Sequence, residues 1–171
     1  MQKSIRVIGI DPGYAIVGYG ILDYQGGRFR TLDYGAITTE ADMPFSRRLE
    51  HIHDRLSEIL DAAKPDAMSV EKLFFTSNQK TAIDVAQARG VIQLCGVKRN
   101  IEIVEYTPLQ VKMAVVGYGK ADKNQMQQMT KTILGLSAVP KPDDTADALA
   151  IAICHAHTSG SVVNYAHFNS K

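Results

Sequence analysis

Four acidic residues stand at the boundaries of the apolar runs in this chain. Asp11 and Glu71 each end a short apolar run, and Asp144 and Asp147 come just before a third run at 148–153. An acid in such a place lies at the rim of a buried core, where several acids can converge. Converging carboxylates repel one another and are costly to desolvate unless a cation neutralises them. The pattern therefore predicts a divalent-metal site.

The type of ligand indicates the metal and its chemistry. Three or four carboxylates suit Mg²⁺, with Mn²⁺ as a substitute, better than zinc, which would bring cysteine or histidine. Two such ions about 4 Å apart can activate a water molecule and stabilise the leaving oxygen of a phosphodiester. The histidines do not form a rival zinc site: His51 and His53 fall on a solvated helix stretch, and His155 and His157 close the last helix. These four are interpreted as surface or capping residues.

Some of these acids also have a structural explanation. Asp11 precedes a Pro-Gly pair and could form a turn. Asp143 or Asp144 could cap a helix, although a cap needs only one acid and this segment holds three. Glu71 is harder to explain in this way, because Glu seldom ends a buried strand without a partner. The sequence alone leaves open whether the four acids converge.

A local run of lysines predicts contact with a phosphate backbone. Five lysines and one acid occur between residues 107 and 142, and Lys112, Lys120 and Lys123 lie around two glycines at 117 and 119. A flexible glycine loop could lay main-chain N–H groups and lysines along a nucleic acid. A solvated helix face would give the same pattern.

Two aromatic residues, Phe74 and Phe75, follow Glu71 in a segment that reads as a loop. Beside a metal site they could stack on an unpaired base. Anchoring in the core explains one of them equally well, but it explains both less well.

The composition is that of one ordinary globular domain. The chain has 171 residues, of which 45% are hydrophobic and 22% charged, and its net charge is +1, so any basic surface must be local. Cys95 and Cys154 fall in apolar helical patterns and are interpreted as buried free thiols. Because no apolar run approaches the ~18 residues of a membrane span, we expect a cytoplasmic protein.

Hydrophobic periodicity predicts three strands followed by alternating helices and strands. Tight-turn signals join the first three strands, which favours an antiparallel meander. The later alternation favours two parallel strands in the same mixed sheet, flanked by helices. The predicted strands are 5–10, 16–23, 29–38, 67–70 and 101–106, and the predicted helices are 45–63, 78–98, 108–116, 123–134 and 145–157.

Several motifs occur in the order and spacing of a known family. They are Ile8-Gly9-Ile10-Asp11-Pro12-Gly13, Val70-Glu71, Gln87-Ala88-Arg89-Gly90, Gln110-Val111-Lys112, Val116-Gly117-Tyr118-Gly119 and Asp144-Thr145-Ala146-Asp147-Ala148-Leu149-Ala150. Over residues 5–157 the chain resembles the RuvC family of crossover-junction endodeoxyribonucleases. The resemblance implies an α/β, ribonuclease H-like fold with a five-stranded mixed sheet. A single nuclease domain is expected over 1–158, with a polar, flexible tail at 159–171.

The resemblance also implies an activity and partners. A homodimer of this family nicks two strands of like polarity symmetrically about a four-way DNA junction, leaving 5′-phosphate and 3′-hydroxyl ends during recombination and repair. Coupling to a RuvA–RuvB branch-migration complex is implied as well. We expect the dimer interface on the helix 78–98, whose small residues allow close packing: Ala82, Val85, Ala86, Ala88 and Gly90.

The resemblance also implies roles for individual residues of this chain, namely those at positions that match the motifs of the family. The resemblance implies that the four acids bind two Mg²⁺ ions, with Asp11 bridging them, and Asp144 stands where some members have histidine. Lys112 and Lys123 match lysines that contact DNA, and Phe74 matches an aromatic that stacks near the crossover. Phe75 and Asp143 have no assigned counterpart.

Three other readings compete with this one. The Gly-Ile-Asp-Pro-Gly motif also resembles the phosphate loop of actin-like phosphotransferases, but 171 residues leave no room for their second domain. A non-catalytic junction-binding scaffold would be expected to have lost an acid, and all four are present. A ribonuclease H-like enzyme acting on RNA remains open and would be separated by its substrates.

Overall fold

Short β-branched runs and longer helical periods alternate along the chain, and both form regular elements. The computed structural model describes residues 4–72 and 79–168, with side chains described within 4–72 and 81–159. In these ranges the strands are β1 (Ile5–Asp11), β2 (Ile16–Gln25), β3 (Arg28–Thr38), β4 (Ala67–Glu71) and β5 (Glu102–Tyr106). The helices are α1 (Phe45–Ala63), α2 (Gln79–Val97), α3 (Pro108–Val116), α4 (Lys123–Leu134) and α5 (Asp143–Phe168).

The strands form one mixed sheet, which confirms the predicted fold class. Their order is β3-β2-β1-β4-β5, with β1, β2 and β3 antiparallel and β1, β4 and β5 parallel. Gly26 and Gly27 form the β2–β3 turn with φ angles of 57° and 81°, which glycine adopts without steric cost. The central strand β1 therefore joins the antiparallel meander to the parallel pair.

The two faces of the sheet carry separate hydrophobic cores, because side chains alternate along each strand. One face, which includes Ile8, Ile10 and Met68, packs against α1 and α2. The other face, which includes Val7 and Leu22, packs against α3, α4 and α5. Residues of β1 at positions 7, 9 and 11 therefore face α5.

The last helix is longer than predicted, and one histidine on it was misread. The apolar period ends near residue 157, but α5 continues to Phe168 because no proline interrupts its backbone hydrogen bonds. His155 is only 6% exposed, and its Nδ1 lies 2.9 Å from the hydroxyl of Tyr106. The interpretation of His155 as a surface or capping residue is therefore wrong. Its buried partner comes from β5, 49 residues earlier, which no local pattern reveals.

The expectations about cysteines are confirmed. Cys95 and Cys154 are both free and buried. Among the described residues, none of the helices has the length and apolar character needed to span a membrane.

Candidate active site

The register of the parallel strands β1 and β4 places Asp11 beside Glu71. Ile10 pairs with Val70, and each acid is the next residue of its own strand. Parallel strands that end together bring their last side chains to the same edge of the sheet. Both acids face α5. A side chain on Gly9, two residues before Asp11, would meet that helix, and the hydroxyl of Ser69, two residues before Glu71, bonds to the carbonyl oxygen of Ile151 on it. The first two predicted acids are therefore neighbours.

A glycine in β2 fixes the start of α5 against this edge. Gly18 pairs with Asp11 across the β1–β2 ladder. A Cβ atom on Gly18 would lie 2.0 Å from the carbonyl oxygen of Asp144, so only glycine allows this approach. The first turns of α5, which carry Asp144 and Asp147, are consequently held next to Asp11.

We expect Gly18→Ala to reduce both stability and cleavage. The added methyl must push β2 away from α5, which costs about 1–3 kcal/mol in an overpacked interior and displaces the α5 acids. Urea unfolding and junction cleavage of the variant measure the two effects. Gly96→Ala is the matched control, because its methyl would meet only flexible side-chain atoms of Met68 and Ile103 at 3.2–3.4 Å. Equal losses in both variants would contradict a specific role for Gly18.

The acids and lysines line one open cleft of about 210 Å³. Asp11, Glu71, Asp147, Lys112 and Lys123 contribute its charged groups. The remainder of the lining comes from α3, α4 and α5: Pro108, Val111, Met126, Ala150 and Ile151. The structure thus brings three predicted acids and two predicted lysines to the same place.

Burial and neighbouring carboxylates raise the pKa of Asp11 to about 8. Desolvation is the largest cause, followed by the charges of Glu71, Asp147 and Asp144, while Lys123 acts in the opposite direction. A carboxyl group with this pKa largely retains its proton at neutral pH, and a bound divalent cation would displace that proton. Asp144 does not line the cleft, but its charge reaches Asp11.

The other two acids of the cleft are shifted in the same direction. Burial raises the pKa of Glu71, and the charge of Asp147 adds to the effect. Burial also raises the pKa of Asp147, against the opposing charge of Lys123. Carboxyl groups that are desolvated together in a cleft are typical of a functional site rather than of surface charge.

The donor set of the cleft fits a hard divalent cation. Its lining supplies carboxylate oxygens and contains neither histidine nor cysteine, which favours Mg²⁺ or Mn²⁺ over zinc. As the side chains stand, no three acidic, histidine or cysteine side chains of the described residues are grouped closely enough to hold a metal ion. Carboxylates that repel one another need a cation to close such a group.

The remaining predicted nucleic-acid contacts have different outcomes. Lys120 is exposed in the turn between α3 and α4 and does not belong to the cleft lining. Phe74 and Phe75 lie outside the described residues, so their stacking role stays a prediction.

Sequence reasoning missed a buried serine beneath the cleft. The hydroxyl of Ser69 donates to the carbonyl oxygens of Ile8 and Ile151, each at 3.3 Å, and its side chain is fully buried. It joins β4 to α5 two residues before Glu71. A serine within an otherwise apolar strand was the available signal, since a buried hydroxyl requires a partner.

Comparison with known proteins assigns the chain to a family. Residues 7–155 match the family model for crossover junction endodeoxyribonuclease RuvC. The RuvC protein of Alkaliphilus oremlandii is 59% identical over 89% of this chain and 93% of its own length. That of Clostridioides difficile is 56% identical over 90% of each chain. The structure of Thermus thermophilus RuvC in complex with a Holliday junction substrate superposes with a TM-score of 0.86 at 35% identity, covering 91% of this chain and 94% of that chain.

This likeness extends over nearly the whole described fold, including the strand ends and the start of α5 that form the cleft. The chain therefore belongs to the RuvC family of crossover junction endodeoxyribonucleases.

Proposed function

We propose that this protein resolves Holliday junctions by Mg²⁺-dependent hydrolysis of two strands of like polarity. The observation that carries the proposal is the cleft in which Asp11, Glu71 and Asp147 meet Lys112 and Lys123, in a chain of the RuvC family. A solved structure of a family member contains a Holliday junction substrate, which supports the same substrate class here.

In the proposed reaction, water attacks the scissile phosphorus and the bond to the 3′ oxygen breaks. The products carry a 5′-phosphate and a 3′-hydroxyl group. Lys112 and Lys123 hold backbone phosphates at the mouth of the cleft. Asp11, Glu71 and Asp147 would hold two Mg²⁺ ions, which, when bound, favour deprotonation of water and neutralise charge on the leaving oxygen. Asp144 is proposed to orient the attacking water from the start of α5.

A substrate panel tests the proposal. Labelled four-way junction, linear duplex and RNA–DNA hybrid are incubated with the protein, with Mg²⁺ and with chelator. We expect metal-dependent cutting confined to the junction. Tight junction binding without cutting in Mg²⁺ or Mn²⁺ would favour a scaffold, and cutting of the hybrid alone would favour a ribonuclease.

We expect Lys112→Ala to weaken junction binding and reduce its dependence on salt. Lys112 lines the cleft, and removing one phosphate contact lowers the slope of log affinity against log salt by about one. Binding measured in chelator at several salt concentrations gives that slope without cleavage. Lys64→Ala, which removes an exposed lysine beyond the opposite end of β4, should leave the slope unchanged. An unchanged slope in Lys112→Ala would contradict phosphate contact.

A homodimer belongs to the same proposal, because paired nicks in a two-fold substrate call for a two-fold protein. Five exposed residues follow one side of helix α2, at positions 83, 87, 90, 94 and 97, and we call them the exposed stripe. Successive members are separated alternately by four and three residues. In the exposed stripe, Ile83, Leu94 and Val97 are 63%, 52% and 60% exposed. This spacing is typical of a seam between two helices.

The exposed stripe changes which α2 residues we expect at the dimer interface. Ala88 is fully buried in the core of its own chain, so its assignment to the interface is wrong. A side chain on Gly90 would meet nothing within 4 Å among the described atoms. Glycine inside a helix costs about 1 kcal/mol relative to alanine, so its presence here suits close approach of a second chain.

We expect Leu94→Glu to weaken the dimer at least tenfold. The change removes apolar area from the stripe and sets two like charges near the two-fold axis. Sedimentation velocity at about micromolar concentration measures the effect. Leu32→Glu is the control, because it makes the same change at an exposed position of β3, the edge strand farthest from β5 and α2. It should leave the sedimenting mass of the protein unchanged. A wild-type protein that sediments only as monomer would contradict the dimer.

The remaining parts of the proposal rest on the sequence and on the family resemblance. Phe74 is proposed to stack at the crossover, as the resemblance implies. Lys120, a member of the local lysine run, is proposed to contact a junction arm from its exposed turn. Coupling to a RuvA–RuvB complex is carried over from the resemblance alone, and the cytoplasmic location stays a prediction from the sequence.

A further inference from the structure

Asp143, the first residue of α5, is held by two lysines on its two carboxylate oxygens. Lys141 donates to Oδ1 at 2.6 Å, and the ammonium group of Lys123 lies 3.0 Å from Oδ2. Gln127 contributes a third contact. These three contacts hold the carboxylate in place at the start of α5. Its side chain is 39% exposed at the rim of the cleft rather than in its lining.

Lys123 lies between this acid and a proposed metal ligand. Its Nζ atom is 3.0 Å from Oδ2 of Asp143 and 3.8 Å from Oδ2 of Asp147. Charge-assisted hydrogen bonds are about 2.7–2.9 Å long, so the contact with Asp147 is a loose one. A shift of about 1 Å would complete it, and the flexible lysine stem permits such a shift.

The consequence of losing Asp143 follows from these distances. Asp147 would then be the nearest carboxylate to Lys123. A full ion pair would neutralise Asp147 and place an ammonium group against an oxygen that a divalent cation needs. It would also turn the lysine away from a phosphate at the mouth of the cleft.

We propose that Asp143 is a positioning residue that holds Lys123 away from Asp147 and keeps it directed to substrate phosphate. Asp143 acts through Lys123, because it contacts that lysine and does not line the cleft. The inference rests on the proposed function of the cleft and assigns a role to Asp143, to which the family resemblance assigned none.

Asp143 could also act only through its negative charge, and that explanation predicts different results from positioning of Lys123 when the charge is removed. Removing a negative charge near DNA should tighten junction binding, and its effect on cation affinity should be the same with or without Lys123. Positioning predicts an effect on cation affinity and turnover that depends on the presence of Lys123. A double-mutant cycle separates the two cases.

The experiment measures Mn²⁺ binding to the junction-free protein by electron paramagnetic resonance, beside junction binding in chelator and turnover at saturating junction in Mg²⁺. For Asp143→Asn we expect about tenfold weaker Mn²⁺ binding, about tenfold slower turnover, and junction binding that is weaker rather than tighter than wild type. Asp143→Glu should restore most of these three losses. Asp54→Asn, the same change on α1 across the sheet, should alter none of the three.

In the Lys123→Ala background, Asp143→Asn should no longer weaken Mn²⁺ binding. A double variant that binds Mn²⁺ as well as wild type also shows that the fold survives. Equal weakening in both backgrounds, or no weakening in either, overturns the proposal. Failure of the wild-type protein to cut junctions would overturn the proposed function instead, and it leaves the Mn²⁺ result readable on its own.

Discussion

Asp11→Asn is expected to slow junction cleavage by at least about a thousandfold while leaving junction binding within a few-fold of wild type. Asp11 lines the cleft, beside Glu71 and next to the start of α5. The charges of Glu71, Asp147 and Asp144 all raise the pKa of the Asp11 carboxyl group, so this group is the best placed to bind two cations at once. An amide of the same shape keeps the packing but loses the charge that binds metal. Phosphate binding depends on the lysines and should persist.

Cleavage rates at saturating junction, with binding measured in chelator, test this result. Glu71→Gln should behave similarly, since it occupies the neighbouring strand end. Asp54→Asn, an exposed acid on the opposite side of the sheet, should cut at the wild-type rate. Normal turnover by Asp11→Asn in Mg²⁺ would contradict the assignment of the cleft as a metal site.

In the absence of metal, the free energy of unfolding is expected to fall as pH rises from about 4 to 8, and Asp11→Asn should remove much of this fall. The pKa of Asp11 is about 8 in the folded protein against an ordinary value of 3.8. Between these values the folded state retains a proton that the unfolded chain has lost, so rising pH favours unfolding. Each unit of difference corresponds to about 1.4 kcal/mol. Glu71 and Asp147 are shifted in the same direction and add to the slope.

Urea unfolding in chelator at pH 5 and at about pH 8.5 measures the effect. From the lower to the higher pH, the free energy of unfolding of Asp11→Asn should fall by at least about 2 kcal/mol less than that of the wild-type protein. Mg²⁺ should restore stability to the wild-type protein at the higher pH, because the cation binds only the folded cleft and offsets the repulsion between its deprotonated carboxylates. Parallel pH profiles for wild type and variant would contradict the raised pKa of Asp11.

How far the cleft could be foreseen depends on which interaction fixes each residue. Asp11 and Glu71 were identifiable because each ends a buried run, and strand ends in a parallel pair meet at one edge. Their direct adjacency required the β1–β4 register, which only the packed sheet determines. The contact of Gly18 with the backbone of Asp144 joins residues 126 positions apart, and no local pattern predicts it.

The difference between local sequence signals and long-range packing also explains the two wrong predictions, those for His155 and Ala88. Elements with strong local signals, such as α3 and α4, have the predicted bounds, and both begin with a capping box at Thr107 and Asp122. His155 and Ala88 were misplaced because their surroundings come from distant elements, namely Tyr106 for the histidine and the α1–α2 core for the alanine. Periodicity shows that one side of a helix is buried, but the identity of what covers it is a property of the fold.

Metal-dependent junction resolution is tested most directly by mapping nicks on all four strands of a labelled four-way junction with a fixed crossover, in Mg²⁺ and in chelator. We predict paired nicks at symmetric positions on two strands of like polarity, with 5′-phosphate ends, present only with metal. Nicks on a single strand, cutting of linear duplex at an equal rate, or cleavage that persists in chelator would contradict the proposed metal-dependent junction resolvase.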